Sequence, residues 1–437
     1  MQDFFDSEPS KSEDFDSHQK STISEICARC KGRGYCGKPC RILAKLRIET
    51  RDLNSLKQEF QGSSPPTIFI GSKLVYPAVN VGIMSLPEIK ENAWLYDSPS
   101  YWSQENIGSK QIINFRKSLI NSRFQAKVFD IRKDNRLLRL VQEVGMASLQ
   151  SDIEVKLKKK PKPKLDFDSH LLPMGPSAQL KNIKVITNPK IPDFVEKVYF
   201  DTDLKSVEAL KYLYEKGLDE HSLSQLLSIG ITGLKKNRKL VSTRNSITAI
   251  DDTMGKYLLT KIRDYKAIED YTLYFGGHLG NYYLILFFPD IFSYELFEMI
   301  FPKTTWNPSS RAIQIMTDYE NYRGRKNYAE ETAGGYYAAR LPILQHLNSI
   351  KRQASALTLR FVLSEYDVPL GVWVCRNSVR KALSSSQLCF ETKEEMIEYA
   401  KNLINNKFQF NMDDILNQSK LLKENREQLK LNYYFQA

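Results

Sequence analysis

The stretch Tyr282-Tyr-Leu-Ile-Leu-Phe-Phe288, closed by Pro289, sets the frame for the rest of the chain. An unbroken apolar run of this length, without polar alternation, marks a β-strand covered on both faces. A membrane-spanning helix needs roughly 18 apolar residues, and no run in the chain is that long. Gly371 to Val374 reads as a second buried strand. Leu204, Val207, Leu210 and Leu213 instead recur at helical spacing, with Asp201-Thr202-Asp203 as cap candidates and Gly217 as a stop. Tyr336 to Ile350 also reads as a helix, in which Pro342 sits at a kink or in the first turn. Nearer the N-terminus, Gly62 to Pro87 is rich in proline, glycine and short β-branched runs. There, Thr67 to Ile70 and Lys73 to Tyr76 predict two short strands around a turn at Gly71-Ser72. Strands and helices mix without regular βαβ alternation, so the pattern predicts an α+β fold, and no repeat of solenoid period is present.

With 437 residues, 42% of them hydrophobic and 11% aromatic, the chain can bury a large core in two or more units. Residues 1–22 are acidic and serine-rich and read as a disordered tail with no apolar leader. Residues 23–45 form a compact cysteine module, and the helical pattern that follows, through Leu53 and Leu56, ends near Gly62. Residues 46–160 read as an N-terminal α+β region and residues 161–410 as the main core, with the Lys-Pro run Lys156 to Lys164 as a hinge or exposed strand edge. Residues 411–427 read as a polar helical stalk that carries the last ten residues, 428–437, away from the body. The net charge of +12 favours a polyanionic partner, because neutralising phosphates releases counterions. Together these features predict an intracellular, cytoplasmic protein with no membrane segment.

Cys27, Cys30, Cys36 and Cys40 fall in the spacing Cys-x2-Cys-x5-Cys-x3-Cys. A Cys-x2-Cys knuckle presents two thiolates to one ion, and four thiolates complete a tetrahedron for structural Zn²⁺. Arg29, Lys31, Arg33 and Lys38 offset the charge of such a site. An iron–sulfur cluster also takes four cysteines and is the rival assignment. Disulfides are disfavoured inside a cell.

The block Cys27-Ala-Arg-Cys-Lys-Gly-Arg-Gly-Tyr-Cys-Gly-Lys-Pro-Cys40 resembles the N-terminal zinc motif of the archaeal Nre (NreA-type) DNA repair proteins. Further blocks resemble that family in family order: Gly62 to Gly71, Tyr76 to Gly82, Asp201 to Leu204, Leu240 to Ala249, Gly334 to Arg340, and Gly371 to Val374 with Arg376. Ser242 and Asn245 stand where the family pattern has Pro and Trp, and Arg41 follows the last cysteine where Pro is usual. The resemblance implies tolerance of DNA damage and binding to the replication clamp through the C-terminus, and it leaves the chemistry open.

The terminal residues Gln428-Leu-Lys-Leu431-Asn-Tyr-Tyr434-Phe435 fit Gln-x-x-aliphatic-x-x-aromatic-aromatic, the pattern of peptides that dock on a DNA sliding clamp (PCNA). Leu431, Tyr434 and Phe435 would form a three-pronged apolar plug, with Gln428 as the polar anchor. Candidates for chemistry lie in the middle of the chain. Asp201, Asp203, Asp251, Asp252 and Glu331, with Arg244, are the residue types a Mg²⁺-dependent nuclease uses: oxygen ligands for the metal and a cation for phosphate. The same acids serve equally as helix caps or salt-bridge partners. Lys235, Lys236, Arg238 and Lys239 form a basic run suited to nucleic acid. His278, in Gly-Gly-His-Leu-Gly, reads as a structural loop histidine, and no Walker loop is present. Three functions follow. The first is a clamp-recruited, nucleoid-associated repair factor with structural zinc and DNA binding. The alternatives are a metal-dependent nuclease, and an RNA-binding or RNA-modifying protein.

Overall fold

The computed structural model describes residues 56–72, 74–162, 164–307 and 311–427. The acidic tail, the four cysteines and the terminal peptide lie outside the described residues. The described chain forms two compact units: residues 56–254 with Val368–Gly371, and Gly255–Asp367 with residues 372–427. The division falls at Met254/Gly255, whereas the sequence pattern placed its internal boundary at 160/161.

The first unit holds strands β1 (Glu59–Ser64), β2 (Ile68–Ile70), β3 (Ala78–Ser85), β4 (Ile120–Lys127), β5 (Ser151–Leu157) and β6 (Ser177–Val185) in the sheet order β1-β5-β6-β4-β3-β2. Neighbours run antiparallel except β4 and β6. Its helices are α1 (Pro99–Gln104), α2 (Ser109–Ser118), α3 (Arg136–Met146), α4 (Asp193–Phe200), α5 (Ser206–Glu215) and α6 (Glu220–Ser228), and α7 (Thr243–Ile262) crosses the division. β5 is a strand because its sequence alternates: Ile153, Val155 and Leu157 are buried, while Asp152, Glu154 and Lys156 are only partly covered. α3 starts where Asn135 accepts the backbone N–H groups of Leu137 and Leu138 at 3.1 and 3.2 Å, and it buries Leu138, Val141 and Val144 at helical spacing.

Two glycines of the Gly62–Gly82 block are fixed by close approach. A Cβ on Gly62 would lie 1.9 Å from the Leu86 carbonyl oxygen, and one on Gly82 would lie 1.9 Å from Asn121 Oδ1. Three expectations for this region are corrected. Residues 59–64 are strand β1, so the helical pattern does not extend to Gly62. The second strand of the predicted pair begins at Ala78, because residues 74–77 form a bend and turn containing the cis Tyr76–Pro77 bond. Lys156 and Leu157 belong to β5, which is paired on both sides by β1 and β6 and is therefore not an edge.

The second unit holds β7 (Tyr271–His278), β8 (Asn281–Phe288), β9 (Tyr294–Ile300), β10 (Gln314–Glu320), β11 (Ser355–Val362) and β12 (Leu388–Phe390) in the order β10-β9-β11-β8-β7-β12. Only β9 and β11 run parallel. α8 (Gly334–Ser349), α9 (Trp373–Leu383), α10 (Lys393–Phe408), α11 (Asp413–Gln418) and α12 (Lys420–Glu427) complete it. The Tyr282–Phe288 run is β8, and Leu284, Leu286 and Phe288 join Phe297, Leu357, Leu359 and Phe361 in one apolar core. Pro342 lies inside α8, as its sequence predicts for a helix interrupted by proline.

Here too the structure corrects three expectations. Gly371 sits at φ +98, and residues 373–383 form α9, so Gly371–Val374 is not a strand. Four apolar residues cannot distinguish a strand from the first turn of a buried helix, and the left-handed glycine decides it. The stalk does not project: Met412, Ile415, Leu416, Leu421 and Leu422 are all buried in the same core. Glu295 fastens α12, accepting Ser419 Oγ at 2.5 Å and the backbone N–H groups of Lys420 and Leu421 at 3.0 and 3.1 Å. His278 ends β7 and is buried instead of lying in a loop, and burial together with Lys381 pushes its imidazole down to about 4.

Candidate functional site

In the first unit, the Gly62–Gly82 block places Thr67 and β2 against α6 and the start of α7. Ile68 N–H donates to Gln225 Oε1 at 3.1 Å, and Ile70 N–H donates to Thr243 Oγ1 at 2.9 Å. Behind them, Asp97 is the hub of a buried network. Arg116 Nη1 reaches its Oδ1 at 2.6 Å, His221 Nε2 reaches its Oδ2 at 3.1 Å, and the Thr67 hydroxyl donates to the same oxygen. Arg116 Nε also donates to the Pro173 carbonyl at 2.9 Å. Burial alone would push the Asp97 carboxyl up, but Arg116 and His221 outweigh it and hold it well below the usual carboxylate range. Burial also works against a charged His221, yet the Asp97 carboxylate wins and raises the imidazole above its ordinary value. The His221 side chain remains 27% exposed, so the network reaches the surface at this imidazole.

Arg244, in the first turn of α7, pairs with Asp168 at 3.3 Å and lies 3.3 Å from His170 Nδ1. Ser242 Oγ accepts the Asn245 N–H at 3.4 Å, so the departure from the family pattern at Ser242 supplies a cap for α7. The predicted acids have separate duties. Asp201 Oδ1 accepts the backbone N–H groups of Asp203 and Leu204, both at 3.0 Å, and so caps a turn that precedes α5. Asp203 is exposed. Asp251 and Asp252 are buried along α7 and engaged in interactions there. Glu331 belongs to the second unit, where its carboxylate accepts the Thr317 N–H at 2.9 Å. Among the described residues no three His, Cys, Asp or Glu side chains gather as a metal-holding group.

The basic run divides in the same way. Arg238 donates to the carbonyls of Gly233, Tyr199, Val198 and Asp201 at 2.9, 2.7, 3.2 and 2.6 Å. Its guanidinium is therefore spent on holding the end of α4 against the 233–239 loop. Lys239 is half-buried and engaged, whereas Lys235 and Lys236 stand exposed.

In the second unit, the Gly334–Arg340 block is equally structural. Arg340 is buried and grips Glu320 with Nη1 at 2.8 and 3.0 Å, its guanidinium lying over the rings of Tyr336 and Tyr337 at 5.8 and 5.6 Å. Arg360 pairs with Glu298 at 2.5 Å and with Asn281 Oδ1 at 3.1 Å. A Cβ on Gly335 would fall 2.5 Å from Glu298 Oε1, so glycine lets α8 seat against that carboxylate. Asp318 orders the loop before α8 by accepting Thr332 N–H at 2.8 Å and pairing with Arg325 at 3.0 Å. Sequence reasoning missed Asp97, Arg116, His221, Asp168, Glu298 and Arg360. The partners are far apart in the chain, His221 lying 124 residues from Asp97, and no local motif joins them.

Fold and site together define a two-unit α+β protein in which each unit carries a mixed six-stranded sheet and buried ion pairs. The family model described as "Archaeal Nre, N-terminal" matches residues 35–307, and "Archaeal Nre, C-terminal" matches residues 320–434. The chain belongs to the archaeal Nre family. It is 37% identical over 388 residues to the DNA repair protein NreA of Archaeoglobus fulgidus, covering 88% of this chain and 95% of that one. It is 36% identical over 374 residues to DNA repair protein NreB of the same organism, covering 85% and 92%. DNA repair protein NreA of Haloferax volcanii is 35% identical over 335 residues, covering 76% and 80%. No solved structure matches the chain.

Proposed function

We propose that this chain is a DNA repair protein. In this proposal a PCNA-type sliding clamp recruits it through Gln428, Leu431, Tyr434 and Phe435, and it contacts DNA directly. The observation that carries the proposal is the match over most of its length to relatives named as DNA repair proteins. The terminal pattern adds the route of delivery. The described chain preceding this pattern is anchored, since Glu295 ties the start of α12 to the body. An adaptor or DNA-binding role is favoured over a metal-dependent nuclease, because Asp201 caps a turn, Glu331 holds a backbone N–H in the second unit, and Asp251 and Asp252 are buried and engaged along α7.

Replacing Leu431 and Phe435 together with alanine should weaken clamp binding by about 30-fold or more, the effect of losing one strong anchor, while the body stays folded. Titration calorimetry of the full chain with purified clamp reads this directly. Affinity unchanged in the double variant would refute the docking assignment.

The four cysteines provide the soft, all-thiolate donor set of a structural Zn²⁺ site and leave no position open for catalytic water. Elemental analysis of the purified chain should give about one zinc per molecule, and Cys27→Ser with Cys30→Ser should abolish it. A brown protein carrying iron and acid-labile sulfide would establish an iron–sulfur cluster in its place.

A further inference from the structure

The turn between β2 and β3 presents its apolar side chains to solvent: Val75 is 89% exposed and Tyr76 is 63% exposed. Burial of apolar and aromatic surface drives folding, so a tip of this kind calls for a covering partner. The tip is also held firmly. Val128 N–H donates to the Pro77 carbonyl at 2.9 Å, and the Tyr76 ring stands edge-on to Phe129 at 6.2 Å. Arg132 covers Phe129 with its guanidinium 4.6 Å from the ring, and its Nε donates to the Arg238 carbonyl at 2.8 Å.

Arg238 carries the surface onward. Through its bond to the Tyr199 carbonyl it adjoins the end of α4, where Phe200 is 73% exposed. Lys235 and Lys236 project from the same loop, which is fixed by the Lys235 N–H bond to Thr202 O at 2.9 Å. Two exposed aromatic rings are thus joined by a ribbon of exposed cations. Of the nearby acids, Asp130 accepts the Lys127 backbone N–H at 2.9 Å and pairs with Lys133 at 3.2 Å, Asp134 pairs with Arg139 at 3.1 Å, and Asp203 stands exposed.

We infer that this ribbon binds single-stranded DNA, with bases stacked on Tyr76 and Phe200 and phosphates on Arg132, Lys235 and Lys236. This deepens the DNA-contact part of the proposed function and rests on it. Charge identifies the partner as a polyanion, and the exposed rings identify it as one with free base faces. A duplex keeps its bases stacked inside, so it can use the cations but not the rings.

The test uses the full chain and a fluorescein-labelled 20-mer of mixed sequence, single-stranded or as duplex, followed by anisotropy over a salt series. Tyr76→Ala and Phe200→Ala should each weaken single-strand binding about ten-fold, and Tyr76→Phe should restore it, because base–aromatic stacking contributes roughly 1–3 kcal/mol per base. Duplex binding should be unchanged by these variants. Lys235→Ala with Lys236→Ala should weaken both and flatten the logarithmic salt slope for the single strand by about 1.4. All of these side chains are exposed, and an unchanged melting temperature would confirm folding. Wild-type single-strand affinity in both ring variants would overturn the stacking track while leaving DNA binding intact. Failure of the wild-type chain to bind either DNA would overturn the track and the DNA contact together, and tighter binding to the matching RNA strand would reassign the partner.

Discussion

Asp97→Ala should destabilise the protein by about 3–5 kcal/mol, the usual consequence of removing one member of a buried ion pair. The side chains of Asp97 and Arg116 are 2% and 3% exposed, so the guanidinium left behind cannot recover its hydration. Thr67 loses its acceptor at the same time, and the anchor between the Gly62–Gly82 block and α6 loosens. Urea unfolding monitored by fluorescence measures the loss, and a change below about 1 kcal/mol would show that Arg116 finds compensation elsewhere. Asp97→Asn, which keeps the acceptor and removes the charge, should fall between the two.

The same network predicts a pH dependence. The folded state raises His221 above its ordinary 6.5, so its contribution is complete below pH 6.5 and is lost as pH rises through the raised value. The folded state lowers Asp97 below its ordinary 3.8, so its contribution is complete above that pH and is lost only as pH falls through the lowered value. Both contributions are present together between about pH 4 and 6.5. His221→Gln should therefore cost the most near pH 5 and progressively less in alkaline buffer. A cost that does not change from pH 5 to 9 would show that the imidazole acts through packing alone.

In the second unit, Arg340→Met should also cost about 3–5 kcal/mol, because the side chain of Glu320 is 0% exposed and would be stranded as a buried anion. Met fills much of the volume and keeps contact with Tyr336 and Tyr337, so the loss isolates charge from packing. Arg340→Met combined with Glu320→Met should recover a large part of the stability, since two apolar side chains carry no desolvation penalty. If the double variant is no better than the single one, the pair acts through shape and not through charge. Neither Arg340 nor Glu320 would be expected to bear on clamp binding, which gives an internal control.

The local patterns were legible where one short segment carries the signal. The Tyr282–Phe288 run became β8, Val207, Leu210 and Leu213 of the predicted helix fell in α5 while Leu204 lies before its start, and Pro342 sat within a helix. Errors arose where two structures share one local pattern. Val372-Trp-Val374 suits a strand or a buried helix, and Gly371 in the left-handed region settled the question. Residues 412–422 are sparse in apolar groups for a free helix. Those few nevertheless suffice when the helix breaks after Gln418 and turns Leu421 and Leu422 into the core, with Glu295 receiving its new N-terminus.

The sequence by itself determined the α+β character, the family and the motifs that need no tertiary neighbour: four closely spaced cysteines and a terminal Gln-x-x-aliphatic-x-x-aromatic-aromatic pattern. Both are contiguous, and the zinc and clamp roles proposed for them rest on spacing alone. What only the tertiary structure decided is the use of the charged residues. Arg238 became a clamp on four carbonyls, and Asp97, Glu298 and Glu320 became the buried partners of Arg116, Arg360 and Arg340. The physical reason is that a charge is defined by what surrounds it. Desolvation and pairing between residues distant in the chain decide whether an Asp or Arg holds the fold or meets a ligand, and a linear pattern does not encode either.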